Sequence, residues 1–196
     1  MAVSRASLLG LSLQAWALGP LVELVLRIAG DGLGANPQEE ILRGLGRQMM
    51  VLLWFVLSMP HLARWARLPG LRDLPRHRRA MGLWTFAYAG IHLLAYLQFE
   101  HDWNWALILK DVGTRPFVAV GLLALLLMLP LALTSNRWSM LRLGQNWKKL
   151  HRLVWLISAL ALAHYFLHKA GKNDFSQPLI FLGVWMGLVW LRLRRS

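Results

Sequence analysis

The 196-residue chain contains no cysteine. Disulfides, thiolate metal sites, iron–sulfur clusters and a cysteine nucleophile are thereby excluded. Acidic residues are scarce: nine Asp and Glu stand against 22 Lys and Arg, a formal net charge of +13. Charge of either sign makes up only 16% of the chain, whereas hydrophobic residues make up 57%. A soluble domain carries about 25% charged residues, so this balance excludes a disordered chain and argues against a soluble globular enzyme. Internal repeats and low-complexity stretches are lacking. Long polar helical faces are missing too, because the apolar residues surround most of each helical segment.

What is present is a set of six apolar segments. A hydrocarbon core of about 30 Å takes roughly 20 residues of helix to cross. Leu8–Ile28, Met49–Trp65, Ala80–Phe99, Pro116–Leu133, Leu153–Leu167 and Pro178–Leu193 meet or approach that length. The first is too long for a cleaved signal peptide, and no small-x-small site follows it. Pro60 and Pro130 fall near segment ends, where a missing backbone donor is tolerated. Eleven Trp suit the membrane interface. The connections are about 10–20 residues long, too short for a separate soluble domain. The expectation is an all-α integral membrane protein, residues 1–196 forming one six-helix transmembrane bundle.

Positive charge alternates between the connections. Arg5, the loop with Arg64, Arg67, Arg72, Arg76, Arg78 and Arg79, the loop with Arg137, Arg142, Lys148, Lys149 and Arg152, and the terminal Arg192, Arg194 and Arg195 hold fifteen of the basic residues. Asp73 is their only acid. The opposite connections combine seven basic residues with eight acids, so the split is +14 against −1. The positive-inside rule places the first set, and both termini, in the cytoplasm. The basic charge is thus a topology signal, not a nucleic-acid footprint, although a basic membrane face also attracts anionic lipid or an anionic cofactor.

Ionisable groups inside a membrane are functional candidates by default. Of seven His, His61 and His77 flank a cytoplasmic connection, and His101 and His168 lie near outer segment ends. His92 lies 13 residues beyond Arg79, and His164 lies 12 beyond Arg152. A rise of 1.5 Å per residue puts both about 18–20 Å above the cytoplasmic edge, at matching depth. Small residues accompany them: Ala87, Ala89 and Gly90 near His92, and Ala159, Ala161 and Ala163 near His164. Two neutral imidazoles at one depth suit bis-histidine ligation of haem iron; the alternative is that each hydrogen-bonds across helices. His151 sits about 20 Å below His164 and about 140° round an ideal helix. It reads as a ligand to a second, inner haem, as a contact to another cofactor, or as an ordinary interfacial His. His164 and His168 have i,i+4 zinc spacing but no nearby third ligand.

Several motifs in order resemble one family. They are Asn36-Pro37 with Glu39, Arg78-Arg79-Ala80-Met81-Gly82-Leu83-Trp84, Leu93 after His92, Thr114-Arg115-Pro116, and Leu133-Thr134-Ser135. Then come Leu143-Gly144-Gln145-Asn146-Trp147-Lys148-Lys149-Leu150-His151, His164-Tyr165 and Gln177-Pro178-Leu179-Ile180. Together, from about Asn36 to Phe181, they resemble the haem-binding membrane subunits of bacterial periplasmic methionine sulfoxide reductase systems, within the ferric-reductase-like transmembrane family. The resemblance implies haem b, with His92, His151 and His164 as its important histidines, and an FMN. It implies an inner-membrane location and a periplasmic molybdopterin-containing reductase as partner, which repairs oxidised methionines. Electrons would come from the quinone pool or from a cytoplasmic flavin reductase. Some residues depart from the pattern: Trp155 replaces an expected Tyr, Met59-Pro60 an expected Thr-Pro, and His61 and His77 are additions. Larger relatives carry a second histidine pair. Here Arg78 stands 14 residues before His92, so that inner pair is incomplete unless His77 or His61 substitutes, and the haem count is one or two.

Arg115, near the depth of His92 and His164, suits a haem propionate or an interface anchor. Arg78 and Arg79 suit an FMN phosphate or serve topology alone. Glu23 and Arg27, four apart, are expected to neutralise each other. Trp16, Trp54, Trp84, Trp103, Trp105, Trp138, Trp147 and Trp190 read as interface or packing residues. The expected function is transmembrane electron transfer by a non-catalytic subunit. A quinol-oxidising cytochrome b subunit of another respiratory complex, or a non-redox membrane protein with structural histidines, are the alternatives.

Overall fold

The computed structural model describes residues 5–65, 69–171 and 173–194; Arg67 and Arg195 of the basic set lie outside them. The chain runs as α1 (Arg5–Ala29), α2 (Pro37–Trp65), a 3-10 helix (Pro69–His77), α3 (Arg78–His101) and α4 (Trp105–Thr114). It continues as α5 (Pro116–Leu133), α6 (Arg137–Leu143), α7 (Gln145–His151), α8 (Val154–Ala170) and α9 (Ser176–Leu193). No strand occurs among the described residues. Six stretches are long and apolar enough to cross a membrane: Ser7–Ala29, Pro37–Trp65, Leu71–His101, Pro116–Leu133, Gln145–Ala170 and Ser176–Leu193. They match the six expected segments.

Local chemistry explains where the helices exceed the apolar runs. α2 starts at Pro37, well before Met49. Asn36 Oδ1 accepts the Glu39 N–H at 3.4 Å, proline occupies the first position, and Glu39 and Glu40 complement the positive helix end. Two connections contain α-helices that the apolar pattern did not reveal. Asn104 caps α4 by accepting from Ala106 and Leu107 N–H at 3.1 and 3.3 Å. Asn136 caps α6 by accepting from Ser139 N–H at 2.8 Å. Gly144, at φ +49°, turns the chain from α6 into α7, a conformation that favours glycine. α7 ends at His151, and Arg152 and Leu153 form a turn before α8. The ideal-helix rotation of 140° between His151 and His164 therefore does not apply. The Glu23–Arg27 pairing is also replaced. Arg27 donates to the Gly32 carbonyl at 2.9 Å and pairs with Glu40 Oε1 at 2.5 Å, because the tight turn after α1 brings the start of α2 to its guanidinium.

The chain divides into two compact units, Met1–Tyr96 and Leu97–Ser196. In the first, α2 supplies most of the core through Leu52, Leu53, Trp54, Leu57 and Met59. Trp16 of α1 meets Phe55 edge-on at 5.1 Å. Tyr88 of α3 is fully buried and donates its hydroxyl to the Ala17 carbonyl at 2.8 Å; Ala17, also fully buried, is small enough to allow the approach. Trp84 donates to Gln14. In the second unit α5 packs chiefly on α8. Trp185 of α9 donates to Ser158 of α8 at 2.9 Å, so the buried hydroxyl and indole satisfy each other. Large apolar side chains such as Val25, Leu26, Leu126 and Ile180 stand exposed on their helices, as lipid-facing surfaces require.

Candidate functional site

In the first unit, His92 projects from α3 toward α2. Its Nδ1 lies 3.0 Å from the Leu42 carbonyl. A carbonyl only accepts, so Nδ1 carries the proton and Nε2 the lone pair. Gly46, one turn after Leu42, provides the room: a Cβ there would stand 3.4 Å from His92 Cε1.

The second unit repeats this device. His164 of α8 donates Nδ1–H to the Phe117 carbonyl of α5 at 2.6 Å. Gly121, again four residues later, lies under the ring, and a Cβ there would stand 2.6 Å from His164 Nδ1 and 2.8 Å from Cε1. Phe117 also meets the rings of His164 and His168, with centroids 6.0 and 5.4 Å away. Reasoning from the sequence found both histidines but missed Leu42, Gly46, Phe117 and Gly121. The signal for Gly121 was its presence in an apolar helical run, where glycine marks a close approach; Gly46, between Arg43 and Arg47 and ahead of the apolar run, carried no such signal. Gly90, by contrast, faces open space.

His151 is held differently. Its Nε2 lies 3.1 Å from Thr134 Oγ1, and that hydroxyl is 2.6 Å from the Pro130 carbonyl. The single hydroxyl proton goes to Pro130, so His151 donates through Nε2–H, the opposite tautomer from His92 and His164. Trp147 stacks on the His151 ring at 3.9 Å and donates its indole N–H to the Thr134 carbonyl at 3.0 Å. This cluster closes α7 onto the end of α5.

The remaining candidates are scattered. Arg115 joins α4 to α5, and its Nε pairs with Asp111 at 3.2 Å; the far side of Asp111 receives His101 Nε2 at 2.9 Å. Arg78 opens α3 half-buried, whereas Arg79 is exposed. His61 is buried on α2. The ring of His77 rests against Gly10, and its buried Nε2 has no hydrogen-bond partner among the described residues. No group of three or more His, Asp or Glu suited to a bare metal ion occurs among the described residues.

Six apolar helices, two pairs of which are clamped by half-buried histidines, describe a multi-pass membrane protein with imidazoles oriented inside its spans. Residues 45–162 match the ferric reductase like transmembrane component, and the chain belongs to that family. At finer resolution it is 42% identical over 172 residues to a protein-methionine-sulfoxide reductase heme-binding subunit MsrQ of Bordetella pertussis, covering 85% of this chain and 82% of that protein. The subunits of the same name from Ralstonia nicotianae and Caulobacter vibrioides are 42% and 39% identical, covering 90% and 89% of this chain and 81% of each relative.

Proposed function

We propose that this chain is a membrane electron-transfer subunit that binds haem b through His92 and His164 and serves methionine sulfoxide reduction. The observation that carries the reading is the shared clamp, in which Nδ1–H donates to the carbonyl four residues before a glycine. An axial imidazole must present Nε2 to iron and have its other nitrogen fixed by an acceptor. The donor set fits on both counts. Haem supplies the one-electron couple; the protein supplies ligation, burial and orientation. The subunits named for haem binding and for methionine sulfoxide reduction support the same reading.

The finer assignments follow from the family and from charge. Arg115 is proposed for a haem propionate, and Arg78 and Arg79 for an FMN phosphate. His151 serves the inner side, beside the flavin or a second haem, and ligation there would require its bond to Thr134 to be given up. Electrons enter from the quinone pool or a cytoplasmic flavin reductase and leave to a periplasmic molybdopterin-containing catalytic subunit. The chain lies in the bacterial inner membrane with both termini in the cytoplasm.

The test is an absorption spectrum of the purified chain. A Soret band that shifts on dithionite addition is expected, and His92→Ala or His164→Ala should each remove most of it. Absence of the band from the wild type, or a full unshifted spectrum in both variants, overturns the reading.

A further inference from the structure

Asp111 is the one buried acidic residue among the described residues. A carboxylate withdrawn from water must be paired to stay ionised, and this one is paired twice. His101, the last residue of α3, donates to Oδ2 at 2.9 Å, and Arg115 pairs with Oδ1 at 3.2 Å. The Arg115 N–H also donates to the Asp111 carbonyl at 2.8 Å. The His101 and Asp111 side chains are about one-tenth exposed, whereas Arg115 is half exposed.

The surrounding backbone keeps this cluster in place. Asp102 and Trp103 both adopt left-handed φ values, +44° and +60°, which cost energy for residues other than glycine. The turn is held by Trp103 donating to Gln98 at 2.7 Å and by the Asn104 cap of α4. Such strain persists only where surrounding contacts over-determine it. The turn returns the chain so that α4 presents Asp111 to His101.

The position of the cluster matters. Two residues after Arg115 comes Phe117, whose carbonyl fixes His164. The Asp111–Arg115 pair therefore abuts the first turn of α5, the turn that orients that imidazole. In low dielectric a fixed charge acts far more strongly than in water.

We propose that Asp111, clamped by His101 and Arg115, is a positioning residue that anchors the first turn of α5 and sets the electrostatic field at the His164 ligand. The proposal rests on the reading of His164 as a haem ligand. Asp111 contributes negative charge that lowers the haem midpoint potential, and Arg115 contributes positive charge that raises it. The pair acts as a fixed dipole beside the cofactor.

The experiment is a redox titration of the purified, haem-loaded full chain, followed by its absorption spectrum. Asp111→Asn preserves shape and should shift the midpoint upward, with haem content and ligation spectrum retained. Arg115→Gln should shift it downward. The double variant should return it close to the wild-type value. A purely structural role moves haem content without opposed potential shifts. Wild-type midpoints in both single variants, or shifts of the same sign, overturn the proposal. Should Asp111→Asn not fold alone, the double variant is compared with Arg115→Gln: a higher midpoint in the double variant supports the proposal, and an equal or lower one overturns it. A chain whose His164→Ala variant keeps a full bis-imidazole spectrum removes the ligand reading itself, a result distinguishable before any titration and one that overturns this proposal with it.

Discussion

The carbonyl oxygen of Phe117 and Nδ1 of His164 lie 2.6 Å apart, although that carbonyl belongs to the hydrogen-bonding ladder of an α-helix. Side chains on a helix lean toward its N-terminus, so the residue at n+4 covers carbonyl n. Glycine at n+4 leaves the oxygen open to a second donor as wide as an imidazole ring. Gly121 does this for Phe117 and His164, and Gly46 does it for Leu42 and His92.

The two glycines should not be equally sensitive. A Cβ at position 121 would fall 2.6 Å from His164 Nδ1, inside any real contact, whereas one at position 46 would stand 3.4 Å from the His92 ring. Alanine gains up to about 1 kcal/mol of helix propensity over glycine, too little to offset a ring displaced from its hydrogen bond. Gly121→Ala should therefore lose most of the bound haem, and Gly46→Ala should keep most of it. The ratio of Soret to protein absorbance measures both, and equal retention would contradict the clamp geometry.

Thr134 should matter through its hydroxyl. Thr134→Val keeps the shape but leaves the half-buried His151 Nε2–H without its acceptor, at a cost below the roughly 1–3 kcal/mol of a fully buried donor. Thr134→Ser restores the acceptor. Thermal unfolding in detergent should show a lower midpoint for valine and a value near wild type for serine. Equal midpoints for the two would mean that the His151 bond contributes nothing.

The connection between α8 and α9 predicts a weak acid sensitivity. The Lys169 ammonium, 2.5 Å from Asp174, and the Ser176 hydroxyl hold the Asp174 carboxyl below its ordinary value. A depressed carboxylate stabilises the folded state fully above its unfolded pKa, and that contribution is lost as pH falls through the lower folded value. The Asp174 side chain is about half exposed, so solvent screening keeps the effect small. Unfolding temperatures of wild type and Asp174→Asn should differ at neutral pH and converge in acid. A difference that persists below the carboxylate range would assign the effect elsewhere.

The charge split of +14 against −1 predicts orientation. Reporter fusions at Asp73 and Gln145 should read cytoplasmic, and fusions at Asn36, Asp102 and Asn173 periplasmic. A periplasmic signal at Gln145 would break the six-span arrangement.

By itself the sequence determined the membrane class and the six spans, and it singled out His92 and His164 as candidates. These depend on composition, apolar run length and residue type, which are local quantities. The start of α2 was also written locally, in Asn36, Pro37 and Glu39, although the apolar run concealed it. Tertiary structure alone decided that Gly46 and Gly121 open two carbonyls to imidazoles, that Arg27 turns from Glu23 to Glu40, and that His151 donates through Nε2 to Thr134. It also decided that Asp111 is buried between His101 and Arg115. Each of these is a pairing between residues on different helices or across a turn. Such pairings follow from which faces meet and at what distance, and helical periodicity within one segment carries no information about its neighbour's face.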